Sequence, residues 1–262
     1  MTAKSNPARD FRRGIGGSAE STSGDLARYR FADACLPSGL ILDDGCGHGN
    51  GTEALVRPDR RVIAVDPDRH AVRARLGSLE PHLEFRLKES PRFEFPDMYF
   101  DGVVSLEVVE HVVDSVEYIR ELARVAKPKG TLVLSTPNRR VLERYYIRGR
   151  SPVNITHFRE FYPEELRGLL SPYFRIDQVL VSHACDVLGR QRSLEYQMRF
   201  PIPYELRAKI PLSLRSLWME VRGRETPSEC MLEPTDWETL RTGESVKYED
   251  IIVVGSRNND HV

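Results

Sequence analysis

The chain has 262 residues, 40% of them hydrophobic, enough for one well-buried α/β domain with an insertion or a cap. Its 38 basic and 39 acidic side chains leave a formal charge of −1, so no global pull toward nucleic acid or an anionic membrane is expected. No apolar run reaches the roughly 18–20 residues of a membrane span, and Cys35, Cys46, Cys185 and Cys230 form no C-x-x-C pair, so reduced thiols in a cytoplasmic protein are expected.

Residues 1–24 are rich in Ser, Gly, Arg and Ala, lack periodicity, and lack the apolar core of a signal peptide. They read as a flexible arm, either inert or a lid that orders over ligand. From Asp25 the segment DLARYRFADACL has helical spacing (Leu26, Tyr29, Phe31, Ala32, Leu36) and leads into a short strand, Leu40-Ile41-Leu42. Arg28 and Arg30 lie on this helix, and Arg30 is the candidate to face a ligand carboxylate. The strand ends in Asp43 and Asp44 and breaks into Gly45-Cys46-Gly47-His48-Gly49-Asn50-Gly51. Glycines at a strand end let backbone approach a bound molecule closely, and in an open α/β sheet ligands sit beyond the carboxyl ends of the strands. Two aspartates make a poor phosphate cradle but suit a cationic ligand.

A helix over Thr52 to Val56 is expected to stop near Pro58, and RVIAVD (Arg61 to Asp66) reads as a buried strand ending in an acid. An acid there, some twenty residues beyond the glycines, can accept hydrogen bonds from both ribose hydroxyls of an adenosine. The alternative job, capping the next helix, is better filled by Asp68. LEFRL (Leu83 to Leu87) is a third strand, and Phe100 to Val112 contains a fourth, followed by the helix SVEYIRELARVA. After the turn Lys127 to Gly130, TLVLSTPN is a fifth strand. Strand and helix alternate throughout, which predicts a doubly wound parallel sheet. FRIDQVLVS is a sixth strand. YEDIIVVGS lies too near the C-terminus for another crossover, so an antiparallel strand at the edge is expected. The non-alternating residues 183–246 between these two strands read as an insertion that either caps the substrate mouth or is a packing excursion.

Asp43-x-Gly45-x-Gly47-x-Gly49, then VIAVDPD, FDGVVSLEVVEHV, ELARVAKPKGTLVLSTPNR and HFREF occur in the order seen in class I S-adenosylmethionine-dependent methyltransferases. The chain resembles that superfamily over roughly residues 25–170 and at the final strand. Within it, the motifs look most like bacterial methyltransferases of glycan and secondary-metabolite biosynthesis and the O-methyltransferases of ubiquinone synthesis. The resemblance implies a Rossmann-like, seven-stranded sheet, mostly parallel with an antiparallel last strand, spanning residues 25–262. It also implies S-adenosyl-L-methionine as cofactor, with Gly45, Gly47 and Gly49 along the methionine part and Asp66 on the ribose. Asp43, Cys46, Pro67 and Leu106 are further expected cofactor contacts. Glu89 falls where the family has an aspartate against the adenine. Asp44 stands where an apolar residue is usual, and a buried acid there needs a partner. Lys129-Gly130 replaces a double glycine, a change expected to be harmless.

Methyl transfer to a hydroxyl gains from alignment and from a general base. In Glu107-Val108-Val109-Glu110-His111 the polar residues sit at i, i+3 and i+4, and one helical turn would place them on one side. His157 follows the fifth strand and can reach the same edge. His111, His157 and Glu107 are therefore the catalytic candidates; the two carboxylates and two imidazoles converging there could instead bind a divalent metal (Mg or Zn), with Glu107, Glu110 and His111 as its named ligands. A third reading makes the cluster a structural brace. Arg139, Arg140, Arg144, Arg148 and Arg150, with Tyr145 and Tyr146, suit either solvent or an anionic substrate. The expected acceptor is a small molecule: a sugar, glycan precursor, quinol or natural product, through a hydroxyl or an amine. Two alternatives are a small-RNA ribose 2′-O-methyltransferase, disfavoured by the neutral charge, and a non-catalytic methyltransferase-like subunit. A homodimer is an admissible assembly.

Overall fold

The computed structural model describes residues 23–73, 75–77, 81–142, 156–183, 232–242 and 248–259. Eight strands form one sheet in the order β3-β2-β1-β4-β5-β8-β6-β7. They are β1 (Gly39–Asp44), β2 (Arg60–Asp66), β3 (Leu83–Leu87), β4 (Phe100–Leu106), β5 (Ala126–Pro137), β6 (Phe174–His183), β7 (Leu232–Thr235) and β8 (Tyr248–Arg257). The first five are parallel, while β8 runs antiparallel to both β5 and β6, and β7 antiparallel to β6. The helices are α1 (Ser23–Cys35), α2 (Arg69–Val72), α3 (Ser115–Val125), α4 (Arg139–Leu142), α5 (Pro163–Leu170) and α6 (Trp237–Thr242).

The period-two alternation of the strands feeds two cores, one on each face. Leu42, Ile63, Val103, Leu132 and Ile251 join the layer under α3 and α5. Ile41, Val62, Val104, Val133 and Ile252 join the layer under α1. Asp114 starts α3 by accepting the Glu117 N–H at 3.0 Å, and Tyr118, Ile119, Leu122 and Val125 are its buried stripe.

Four expectations change. The sheet has eight strands rather than seven, because Leu232–Thr235, within the expected insertion, pairs with β6. β8 is internal, not at the edge. Ile251, Ile252, Val253 and Val254 are all buried, so the strand needs cover on both faces. The helix after the glycines is a 3-10 turn, Thr52–Leu55, and the next helix shrinks to α2. Lys129 adopts a φ of 63°, which a glycine would hold without steric cost, so that departure is not free. Among the described residues no helix is long and apolar enough to cross a membrane. Arg144, Arg148, Arg150, Tyr145, Tyr146, residues 1–22 and most of the insertion lie outside the described residues.

Candidate active site

The strand order reverses at β1, between β2 and β4, and in open α/β sheets it is beyond the carboxyl ends at such a switch point that ligands sit. Gly45 folds back so that its N–H reaches the Val65 carbonyl at 2.8 Å, and Gly47 donates to Asp66 Oδ2 at 2.8 Å. Gly45 and Gly49 have φ of 81° and 78°, and a Cβ at either would collide with Val108 or Phe85. At Gly47 nothing lies within 4 Å of that position. The loop is therefore tight against the protein on one side and open on the other.

Acids line this loop. Asp43 is fully buried and accepts from Thr52 Oγ1 at 2.6 Å and from the Tyr29 hydroxyl at 3.2 Å; burial pushes its pKa up to about 7. Asp66 accepts from the Gly47 and Asp68 amides, and burial raises it to about 6. Asp68, as expected, caps α2 through the His70 N–H. Asp44 finds its partner in Lys88, whose ammonium is 2.8 Å away. The Cys46 thiol is buried and its pKa is raised, by burial and then by Asp43, so it is a packing group and no nucleophile. Pro67 and Glu89 line a cleft of about 370 Å³ beside Asp66, with Arg69 3.4 Å from Glu89. Leu106 is buried at the end of β4.

Arg28, and not Arg30, points into the protein. The two are 200° apart on a helix, so only one can do so, and Arg30 is exposed. Arg28 donates to Asp25 and to Asp250, each at 2.7 Å. Burial lowers its pKa, but the charges of Glu107, Asp250 and Asp25 outweigh that and raise it.

The expected grouping of Glu107 with Glu110 and His111 also fails. Glu107 sits at φ 58°, off the 3-10 turn Val109–His111, so the i, i+3, i+4 spacing does not hold. Its carboxylate accepts instead from Ser135 Oγ at 2.7 Å. His157 takes its place: one ligand atom each of Glu110, His111 and His157 lie within 4.8 Å of one another. The two imidazoles pack edge to face with ring centres 4.7 Å apart. Burial and the neighbouring His157 lower His111 to about 4, so it is neutral, and the Thr156 carbonyl at 3.1 Å assigns the proton to Nδ1. Nε2 then carries a lone pair, 4.0 Å from Glu110 Oε1. His157 Nδ1 faces Glu160 Oε1 at 2.8 Å, which fixes its tautomer in the same sense. Glu110 accepts from Thr136 Oγ1 through Oε2, while its buried Oε1 has no hydrogen-bond partner among the described residues. Burial, and then the charge of Glu107, raise its pKa well above the usual carboxylate range. The cluster and the glycine loop meet at Val108, whose side chain abuts Gly45 and whose carbonyl accepts the His111 N–H.

Sequence reasoning missed Arg28, Lys88 and Glu160. The first had a signal, since Arg28 shares a face with Ala32 and Leu36 while Arg30 does not. Of the five arginines after β5, Arg139 and Arg140 lie over the Tyr162 ring, and Arg140 pairs with Glu164. Those two are engaged by the protein itself.

Residues 42–134 match the family described as "Methyltransferase domain". A probable S-adenosylmethionine-dependent methyltransferase of Mycobacterium tuberculosis is 39% identical over 131 residues, 50% of this chain and 46% of that one. A ubiquinone biosynthesis O-methyltransferase of Xanthomonas campestris is 37% identical over 155 residues, 54% of this chain and 64% of that one. The chain thus spans about half the length of the first of these relatives and under two thirds of the second. A possible histamine N-methyltransferase of Thermotoga maritima shares the fold at a TM-score of 0.57 and 14% identity, covering 90% of each chain. So does the [4+2]-cyclase SpnF, at a TM-score of 0.56 and 14% identity, over 92% of this chain and 85% of that one. At such identities these two matches speak for the fold alone.

Proposed function

From the premise that the chain carries a class I, S-adenosylmethionine-dependent methyltransferase domain, we propose that it methylates a hydroxyl, or an amine, of a small molecule. The observation that carries the reading is the junction at Val108 of a one-sidedly open glycine loop with a cluster of two imidazoles and a buried carboxyl. The loop fits the cofactor: glycine is required where backbone packs against Val108 and Phe85, and Gly47 leaves room. Gly45, Gly47 and Gly49 would hold the methionine part, Asp66 the ribose, and the Pro67–Glu89 cleft the adenine. When bound, S-adenosylmethionine supplies an electrophilic methyl group on a sulfonium. The acids at the strand ends favour such a cation.

The chain's own residues orient the acceptor and move its proton. His111, neutral with its lone pair on Nε2, takes the proton from an attacking hydroxyl. Glu160 holds His157 in one tautomer and stabilises it if the proton passes on. Base catalysis is worth on the order of 10²–10⁴-fold for a base matched to the working pH, and an imidazole lowered to about 4 works toward the bottom of that range. A second reading is favoured by the unpartnered Glu110 Oε1: a divalent cation held by Glu110, His111 and His157. Two imidazoles with a carboxylate suit Zn better than Mg. Bound there, the cation would lower the pKa of the acceptor hydroxyl. The unpaired thiols Cys35 and Cys46 suit a reducing, cytoplasmic setting. The ubiquinone-pathway relative supports hydroxyl over amine as acceptor.

The test combines binding and transfer. Wild-type protein should bind S-adenosylhomocysteine in a calorimeter, and Asp66→Ala should weaken binding by roughly 10–100-fold, the loss of one or two hydrogen bonds to a carboxylate. Unchanged affinity in the variant would sink the cofactor assignment. Labelled methyl should then pass from S-adenosylmethionine to the low-mass fraction of a cell extract. Chelator sensitivity would select the metal reading, and label in RNA would overturn the substrate class.

A further inference from the structure

A buried ion pair at the same sheet edge has no part in the chemistry above. Asp44, the last residue of β1, is 1% exposed, and Lys88, just past β3, is 7% exposed. Lys88 Nζ donates to both carboxylate oxygens, at 2.8 and 3.0 Å. β1 and β3 are not neighbours, because β2 runs between them. The pair therefore passes across the tip of β2, where Asp66 sits, and the Lys88 N–H donates to the Asp66 carbonyl at 2.9 Å. The Tyr118 hydroxyl, 2.8 Å from Ser105 Oγ, gives Asp44 another donor at 2.6 Å. The ammonium also lies 4.0 Å from the centre of the Phe93 ring.

Every charge here is satisfied, yet that does not explain why charges are present. Two apolar side chains would join these strands without desolvating an ammonium and a carboxylate, and such replacements are often neutral or stabilising. An ion pair differs in being directional. Lys88 is fastened at two points, its side chain to β1 and its amide to β2. It stands in the middle of Leu87-Lys88-Glu89, which forms one wall of the cleft opposite Pro67 and Asp68.

We propose that Asp44 and Lys88 are positioning residues for the cofactor, a clamp that ties the tips of β1, β2 and β3 and sets the Leu87–Glu89 wall against Asp66 for the adenosine end of the ligand. This rests on the S-adenosylmethionine reading. The clamp also acts through charge, since Asp44 is among the groups that raise the pKa of Asp43 and of Asp66.

The test uses the full chain with two probes: S-adenosylhomocysteine, and 5′-methylthioadenosine, which lacks the amino-acid part. Lys88→Met alone strands a buried carboxylate and lowers the melting temperature. Asp44→Val with Lys88→Met removes both charges, and its melting temperature should return to within a few degrees of wild type. It should nevertheless bind both probes about tenfold more weakly, the loss being the same for each because the clamp serves the adenosine end. A double variant that binds both probes as tightly as wild type overturns the clamp, as does a loss confined to S-adenosylhomocysteine. Should that variant not fold, Asp44→Asn with Lys88→Gln makes the same comparison with a neutral hydrogen-bonded pair. Failure of the wild-type protein to bind either probe would strike the cofactor reading instead, so the two failures are separable.

Discussion

His111 is half-buried and Asp43 fully buried at the site, and desolvation drives their proton equilibria in opposite directions. His111, lowered to about 4, holds fewer protons in the folded state than in the unfolded chain between that value and its ordinary 6.5. Its effect on stability therefore grows as pH rises through that window. Asp43, raised to about 7, holds more protons when folded from its ordinary 3.8 upward, so its contribution shrinks as pH rises toward 7. The stability of wild type relative to His111→Gln, from urea unfolding at a series of pH values, should rise from about pH 4 to about pH 6.5 and then level off. For wild type relative to Asp43→Asn the difference should fall over about pH 4–7. A flat His111 difference would mean that the imidazole keeps its ordinary pKa, and would overturn the shift that burial and His157 impose on it.

At the scale of elements, Arg28 ties α1 to β8, as Arg60 of β2 ties it, through Asp33, to the other side of the sheet. Arg28 joins Asp25 on its own helix to Asp250 at the start of β8, where Ser182 of β6 also donates. Side-chain exposures of 8% and 3% for Arg28 and Asp250 put this pair out of reach of solvent screening. Arg28→Met should cost roughly 3 kcal/mol in urea unfolding, since it takes the cation from the buried Asp250 carboxylate, whereas Arg30→Met should cost under about 0.5 kcal/mol. That α1 is a helix was legible in the spacing of Tyr29, Ala32 and Leu36. Which arginine it buries was legible too, had the angle between them been weighed. The glycine loop, Asp66 and the β1–β5 order were readable because each is local: an apolar run, a glycine at its end, an acid at fixed spacing. Glu107 was misplaced because spacing arguments assume helical backbone at every position counted, and one residue at positive φ breaks the count. Lys88 was invisible for another reason: its partner Asp44 lies 44 residues away, and only the folded sheet brings the two together. Glu160 is only three residues from His157, but the segment between them has no periodic pattern that would pair them.

For the molecule as a whole, near-neutral charge conceals a sharp local distribution. Asp44, Asp66, Glu107 and Asp250 gather at one edge of the sheet against Arg28 and Lys88, with Asp43 and Glu110 pushed toward their neutral forms by burial. A cationic ligand meets a complementary field there even though the net charge of −1 offers no long-range attraction. The sheet is also closed late in the sequence. β5 and β6 are joined only through β8, which bonds to one along Thr131–Pro137 and to the other along Phe174–His183. Removing residues 248–262 should abolish the cooperative melt and circular-dichroism signal of the folded domain, rather than merely lower its stability. A truncated chain that still melts in one sharp transition would show that β1–β5 fold as an independent unit.

The internal position of β8 has a consequence for the cell. On the ribosome every other strand is made first, so β5 and β6 emerge with open hydrogen-bonding edges and no partner yet synthesised. Ser182 and Arg28 likewise wait for Asp250, so the α1 side of the mouth is completed only when β8 slides between its neighbours. Until then the nascent chain presents two open strand edges to chaperones, or to another copy of itself.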